Sequence, residues 1–264
     1  MLSIVAGDGG MGRAVAAALA SRGTPPTAIL GMPADQTAGH EPARFVGAQV
    51  LFEFSQGDAV LANIRAALAG GIRQFVIGTT GWADDRAAVT GLLAEHEASA
   101  VASANFSLGV ALFARLVEEA ARLFGPFAEY DPYIVEWHRR TKADRPSGTA
   151  IELSRRLIAA HPRKTRVAQQ LAHGAPAPEE LDVAVIRAGA APGMHLVGFD
   201  APGESLEMRL TARDRSAYAS GAVTAAEWLL AKPRSPGFHP FDEVIDSMVA
   251  ATRAGPAAAA APFR

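Results

Sequence analysis

The sequence predicts an α/β fold in which a doubly wound parallel sheet is joined to a second, α+β domain. Three observations carry that reading. Short apolar runs alternate with helical periods over roughly the first hundred residues, the signature of strand–helix–strand units. A glycine turn directly follows the first apolar run. After Ser107 the pattern changes to longer runs separated by Gly, Pro and Asp, and it returns to helix near Ala217.

Each element has its own local signal. Leu2–Ala6 is a short apolar strand, 7–12 is the turn, and Arg13–Ser21 is alanine-rich with a helical period. Ala28–Leu30 is a second strand ending at Gly31. Val50–Phe54 reads as the third, followed by a helix over Asp58–Ala69 with Ser55 as its cap. Phe75–Ile77 is a strand closed by Gly-Thr-Thr-Gly at 78–81, Asp85–His96 is a helix, and Ala98–Ala102 is a strand running into Asn105. Leu108–Phe124 is a long amphipathic helix, Tyr133–Trp137 a strand entering a polar loop, and a helix begins near Ser147 with its apolar stripe on Ile151–Ala160. Leu181–Arg187, Met194–Gly198 and Ser205–Leu210 are strands with few helices between them, which predicts a mainly antiparallel sheet. Ala217–Leu230 is helical, and the closing AGPAAAAAPFR is low-complexity and expected to fray. No internal repeat is visible.

Composition narrows the function classes. Of 264 residues, 49% are hydrophobic and 20% charged, enough apolar material for one or two packed domains. The net charge of −2 argues against a nucleic-acid or anionic-membrane partner. The basic loop described below has no aromatic platform for bases either. With no cysteine there is no disulfide, thiolate metal site or Cys nucleophile. The longest apolar runs, about ten residues, are too short to span a bilayer. The start MLSIVAGDGG lacks a basic signal region, so a cytoplasmic location is expected.

Gly7, Asp8, Gly9, Gly10, Met11 and Gly12 form a G-x-G-x-x-G turn after a strand and before a helix, the pyrophosphate cradle of a Rossmann-type domain. Its glycines admit close backbone approach, and the helix N-terminus supplies partial positive charge. A ribose-binding acid is expected about 20 residues on, at the end of the second strand. That strand instead ends Leu30-Gly31-Met32-Pro33, with no acid before Asp35 and no arginine before Arg44. The choice between NADH and NADPH is open on these residues.

The stretch 136–150, EWHRRTKADRPSGTA, concentrates chemistry. It holds His138, three arginines and Lys142, one of only three lysines among 25 basic residues, then Ser147-Gly148-Thr149 opening a helix. Gly148 and Thr149 amides at a helix start bind a carboxylate, and Arg139 and Lys142 add charge. His138 and Lys142 are proton carriers, the lysine most readily where neighbouring cations lower its pKa. A solvated basic loop with Ser147 or Thr149 acting only as a helix cap is the plainer alternative. The other histidines, His40, His96, His161, His173 and His239, have no ligand spacing and read as surface or loop residues, so no metal site is expected. His195 reads as structural, and Trp137 and Trp228 as packing residues.

These motifs together resemble the dihydrodipicolinate reductase (4-hydroxy-tetrahydrodipicolinate reductase) family of the diaminopimelate–lysine pathway. The resemblance runs nearly end to end, through GDGGMGR, FEFS at 52–55, GTTG at 78–81, SANFSLGV at 103–110, the 136–150 run, RAGAAPGMH at 187–195 and RDRSAYASGA at 213–222. It implies an NAD(P)H-dependent oxidoreductase that converts a cyclic imine dicarboxylate to tetrahydrodipicolinate. It implies pyrophosphate on Gly7–Gly12, and a nicotinamide lined by Gly78, Thr79, Thr80, Ser103, Ala104, Asn105 and Phe106. His138 and Lys142 would be the proton-handling pair, with Arg139, Ser147, Gly148 and Thr149 on the substrate. It also implies a dinucleotide-binding domain at 1–107 and 217–264, a substrate and oligomerisation domain at 108–216, and a homotetramer.

The chain departs from the family pattern at several points. Arg139 replaces a second histidine, Glu53 an aspartate, Arg145 an alanine and Leu210 a histidine, and the glycine turn is about one residue shorter. Arg139, Arg145 and Leu210 leave a second reading, a paralogue reducing a different imine or oxo acid, and a third from another class is a non-catalytic dinucleotide-binding sensor. A sensor has no need of both His138 and Lys142 beside a carboxylate cradle.

Overall fold

The computed structural model describes residues 1–31, 40–168 and 174–254. Asp35, His173 and most of the alanine-rich tail lie outside these described residues. The chain forms two compact units, Met1–Leu108 with Arg215–Arg264, and Gly109–Asp214.

The first unit is built on a parallel sheet. Its strands are β1 (Ser3–Ala6), β2 (Ala28–Leu30), β3 (Val50–Glu53), β4 (Gln74–Ile77) and β5 (Ser99–Ala102), with α1 (Gly10–Ser21), α2 (Val60–Ala69) and α3 (Arg86–Glu95) between them. β1 and β3 are buried at every position, as parallel strands covered on both faces require. α4 (Leu108–Phe124) leads into the second unit, whose strands are β6 (Asp131–His138), β7 (Arg166–Val167), β8 (Glu180–Arg187), β9 (Met194–Ala201) and β10 (Glu204–Thr211), with α5 (Gly148–Ala160) after β6. The chain then returns to the first unit through α6 (Ser216–Ala231), β11 (Gly237–His239) and α7 (Phe241–Ala254). The order β11-β5-β4-β3-β1-β2 makes the chain turn to opposite sides of β1, so the switch point lies between β1 and β3. Ligands bind at the carboxyl ends of strands at such points. The doubly wound, Rossmann-type class and the second α+β layer both stand.

Several local expectations are corrected. α1 starts at Gly10, inside the glycine turn. Ser55 does not cap α2; a 3₁₀ turn over Gly57–Ala59 precedes that helix, and Ser55 turns back onto Glu53. β11 and α7 escaped notice because a three-residue strand beginning at glycine has no period to read. His40 and His161 are buried, whereas Trp137 is exposed.

The second sheet, in order β10-β9-β6-β8-β7, is mixed and not mainly antiparallel. β10–β9 and β9–β6 are antiparallel, but β6–β8 and β8–β7 are parallel. The cause is α5, a crossover helix that returns the chain in the same direction. Phe113, Val117, Ile134, Leu153, Val197 and Phe199 fill this unit's core. Alternation along β6 buries Ile134, Glu136 and His138 on one face and turns Trp137 to the other, where its register partner Ile186 is also exposed.

α6 closes on the first sheet through small residues, Ala219, Gly221, Ala222, Ala225 and Ala226, all buried. A Cβ on Gly221 would stand 1.7 Å from the Phe106 carbonyl oxygen. Gly221→Ala is therefore expected to lower stability by about 1–3 kcal/mol, the usual cost of overpacking. Urea unfolding measures this directly, and an unchanged midpoint would refute the close approach.

Candidate active site

In the first unit the glycine turn is shaped by backbone contact. Gly7 has φ +107°, and a Cβ there would lie 2.2 Å from the Phe54 carbonyl oxygen, at the switch point. A Cβ on Gly12 would lie 1.8 Å from the Gly7 carbonyl oxygen. Both positions exclude side chains. The first helical bond of α1 runs from Arg13 N to Gly9 O, 3.0 Å, so the Gly10, Met11 and Gly12 amides lie ahead of the ladder. No side chain caps them at Gly9, which leaves an N-terminus suited to an anion. The Arg215 guanidinium stands beside Gly10, 2.2 Å from the place of its absent Cβ. Nothing in the local sequence signals that contact, since Arg215 arrives from the returning segment.

The carboxyl ends of β4 and β5 frame a cavity of about 260 Å³ lined by Thr79, Thr80, Trp82, Arg86, Ser103 and Ala104. Gly78 packs on the Phe54 ring, where a Cβ would meet it at 2.1 Å. Ser103 Oγ donates to Asn105 O at 2.8 Å, and Asn105 Oδ1 accepts from Ser107 N at 2.9 Å, which fixes the turn after β5. Phe106 is buried against Phe54 and Phe241. Below this floor Glu53 is fully buried, accepting from Ser55 N at 2.9 Å, from the Ser55 hydroxyl and from Asn63 Nδ2 at 3.0 Å. Burial pushes its carboxyl up to about 6 against the pull of these neutral donors. The glycine cradle, open helix start and adjoining cavity fit a dinucleotide.

The second unit carries His138, a buried carboxylate and the basic loop. His138 ends β6 and is buried. Two residues back on the same face, Glu136 is fully buried; its Oε1 accepts from Arg187 Nη2 at 2.7 Å and from Ser147 N at 3.0 Å. Burial pushes the Glu136 carboxyl up, but bonds from His195, Ser147 and Arg187 outweigh it and hold the group well below the carboxylate range. Burial, followed by the fields of His195, Lys142 and Arg187, lowers His138 to about 4, although Glu136 pulls the other way. His138 is therefore neutral at pH 7. Gly193 makes room for it, since a Cβ there would lie 2.9 Å from His138 Nε2.

Ser147 is buried and caps α5, accepting from Ala150 N at 3.2 Å, while its Oγ lies 3.2 Å from His195 Nε2. The helical ladder starts with Ile151 N to Ser147 O, so the Gly148 and Thr149 amides lie at its open end. Arg139 is exposed, and its backbone N–H donates to Ala191 O at 2.7 Å. Lys142 Nζ pairs with the Asp144 carboxylate at 2.7 Å. Arg145 donates to the Val185 carbonyl at 2.8 Å, and Leu210 stands directly across from His195 on the neighbouring strand.

Three members of this site went unassigned in the sequence reading: Glu136, Arg187 and His195. The Glu136–His138 spacing of two on a strand was a usable signal. His195 was not recoverable locally, because only the β6–β9 register brings it opposite Glu136. Glu136, His138 and His195 place ligand atoms within 4.8 Å of one another, the one metal-type cluster among the described residues. Arg187 already bonds that carboxylate.

The family profile "Dihydrodipicolinate reductase, N-terminus" matches residues 2–106, and "Dihydrodipicolinate reductase, C-terminus" matches 109–245. The chain belongs to the dihydrodipicolinate reductase family. The 4-hydroxy-tetrahydrodipicolinate reductase of Methanococcoides burtonii is 34% identical over 203 residues, 75% of this chain and 73% of its own. That of Archaeoglobus fulgidus is 37% identical over 202 residues, 75% and 76% respectively. A solved dipicolinate-bound dihydrodipicolinate reductase from Paenisporosarcina sp. TG-14 shares the fold, with TM-score 0.64 over 91% of this chain and 97% of that one at 18% identity. Membership makes the chain an oxidoreductase of the NAD(P)H-dependent class. No helix among the described residues is long and apolar enough to cross a membrane.

The histidine shift sets a pH dependence. An unfolded histidine titrates near pH 6.5, so between about 6.5 and 4 the unfolded chain binds the extra proton. The His138 contribution to stability is therefore complete above about 6.5 and is lost as pH falls towards about 4. Wild type should lose stability relative to His138→Asn across that window in stepped-pH urea unfolding. A constant difference would show that His138 is not held neutral.

Proposed function

We propose that the chain reduces 4-hydroxy-tetrahydrodipicolinate to tetrahydrodipicolinate with NADH or NADPH, in diaminopimelate–lysine biosynthesis. One observation carries the reading most directly. Glu136 ties the strand that ends in His138 to the Ser147 amide at the N-cap of α5, so His138 and the carboxylate cradle are held by one buried anion. Family membership and the dipicolinate carried by the Paenisporosarcina enzyme point the same way.

The reduced nicotinamide supplies a hydride. Gly7–Gly12 hold the pyrophosphate, and Thr79, Thr80, Ser103, Ala104, Asn105 and Phe106, with Gly78, line the nicotinamide side. The substrate is a cyclic imine dicarboxylate that loses its hydroxyl as water, takes hydride at one ring carbon and a proton at the neighbour. Gly148 and Thr149 amides grip one carboxylate at the helix start, with Arg139 adding charge. Lys142 is the proton donor. Burial holds His138 neutral at pH 7, so His138 acts as a neutral hydrogen-bonding partner. Ser147 holds the cradle in place through its cap. The exposed Trp137 and Ile186, register partners on the outer face of the second sheet, support assembly as a cytoplasmic homotetramer through that face.

Lys142→Ala combined with His138→Ala should reduce turnover by about 10²–10⁴-fold, the range for a positioned acid, with nucleotide affinity unchanged. The assay supplies the product of the preceding aldol condensation as substrate, with each nucleotide in turn. Full activity in the double variant would overturn the site assignment. Nucleotide binding by wild type without turnover would favour a reductase of another imine or oxo acid.

A further inference from the structure

Resting on the dinucleotide reading of the first unit, we infer that Asp8 selects the nucleotide: its carboxylate takes the ribose hydroxyls of NADH and repels the 2′-phosphate of NADPH. Dinucleotide folds place a ribose-binding acid at the carboxyl end of the second strand. In this chain that position is Gly31, which has no side chain. Asp8, reaching over from the glycine turn, fills the vacant space: its Oδ2 lies 3.3 Å, and its Cγ 3.5 Å, from where a Gly31 Cβ would stand. The acid thus arrives at the strand tip from the other side of the turn.

Backbone bonds hold this arrangement. Gly7 N donates to Leu30 O at 2.7 Å, which sets the residues before Asp8 and Gly31 side by side. Arg13 Nε donates to the Asp8 carbonyl at 2.7 Å and fixes the peptide from the helix side. Asp8 itself is exposed, so its carboxylate is presented to an incoming ligand. Such a group accepts hydrogen bonds from two vicinal hydroxyls and opposes a phosphate dianion at the same place.

The charges around the strand tip set the competing case. His40 hydrogen-bonds the Gly31 backbone, which favours its charged form, but burial followed by the field of Arg44 outweighs this and lowers its pKa. A 2′-phosphate would have to draw on Arg13 or Arg44 with the Asp8 carboxylate beside it.

The test is direct titration of the purified full chain with NADH and with NADPH, followed by nucleotide fluorescence, for wild type, Asp8→Asn and Asp8→Ala. Wild type is expected to bind NADH at least about tenfold more tightly than NADPH. Both variants should weaken NADH and strengthen NADPH, narrowing or reversing that ratio. Wild type binding NADPH as tightly as NADH would overturn the inference, as would variants whose ratio stays within about twofold of wild type. Binding of neither nucleotide would overturn the dinucleotide reading as well. The expected ratio without turnover of the cyclic imine would uphold Asp8 and overturn the proposed reaction.

Discussion

A carboxylate sealed from water has to be matched by donors, and in this protein the Glu136 carboxylate organises the second unit around that requirement. Its oxygens take the Arg187 guanidinium and the Ser147 amide, and His195 stands 3.6 Å away. Arg187 also donates to the Asp144 carbonyl at 2.5 Å, so a single buried charge reaches β6, β8, β9 and the loop that carries Lys142. Removing either partner of such a pair leaves the other buried and uncompensated, which is far costlier than losing a surface bridge. The shape of the 139–147 loop and the start of α5 are consequences of that compensation.

Glu53 offers an internal comparison. Both glutamates are fully buried near strand ends, yet their acidities move in opposite directions. Glu136 has a cation and a backbone amide on it; Glu53 has Ser55, Asn63 and Thr79, all neutral. Hydrogen bonds from neutral donors offset only part of the desolvation cost, whereas a guanidinium supplies a full charge. Glu53 therefore sits in a floor that tolerates a protonated acid, while Glu136 sits in a site that requires an anion.

Much of the fold was legible because parallel strands buried on both faces leave continuous apolar runs, and helices between them keep their period. The returning segment was legible only as helix α6; β11 was too short to show alternation. The second sheet was misread as mainly antiparallel because strand runs carry no sign of direction, and only the crossover through α5 sets it. At the site, His138, Lys142, Ser147, Gly148 and Thr149 were visible because they are contiguous with one loop. His195 and Arg187 were not, because they reach Glu136 across strand register and lie 59 and 51 residues along the chain from it.

The sequence by itself determined the family, the α/β class and the glycine cradle, since each is written in neighbouring residues whose spacing follows local backbone geometry. Tertiary structure decided the electrostatic state of the site. Whether a histidine is neutral, a glutamate ionised, or an aspartate stands at the tip of another strand depends on burial and on partners distant in sequence. Spacing along the chain carries no measure of either.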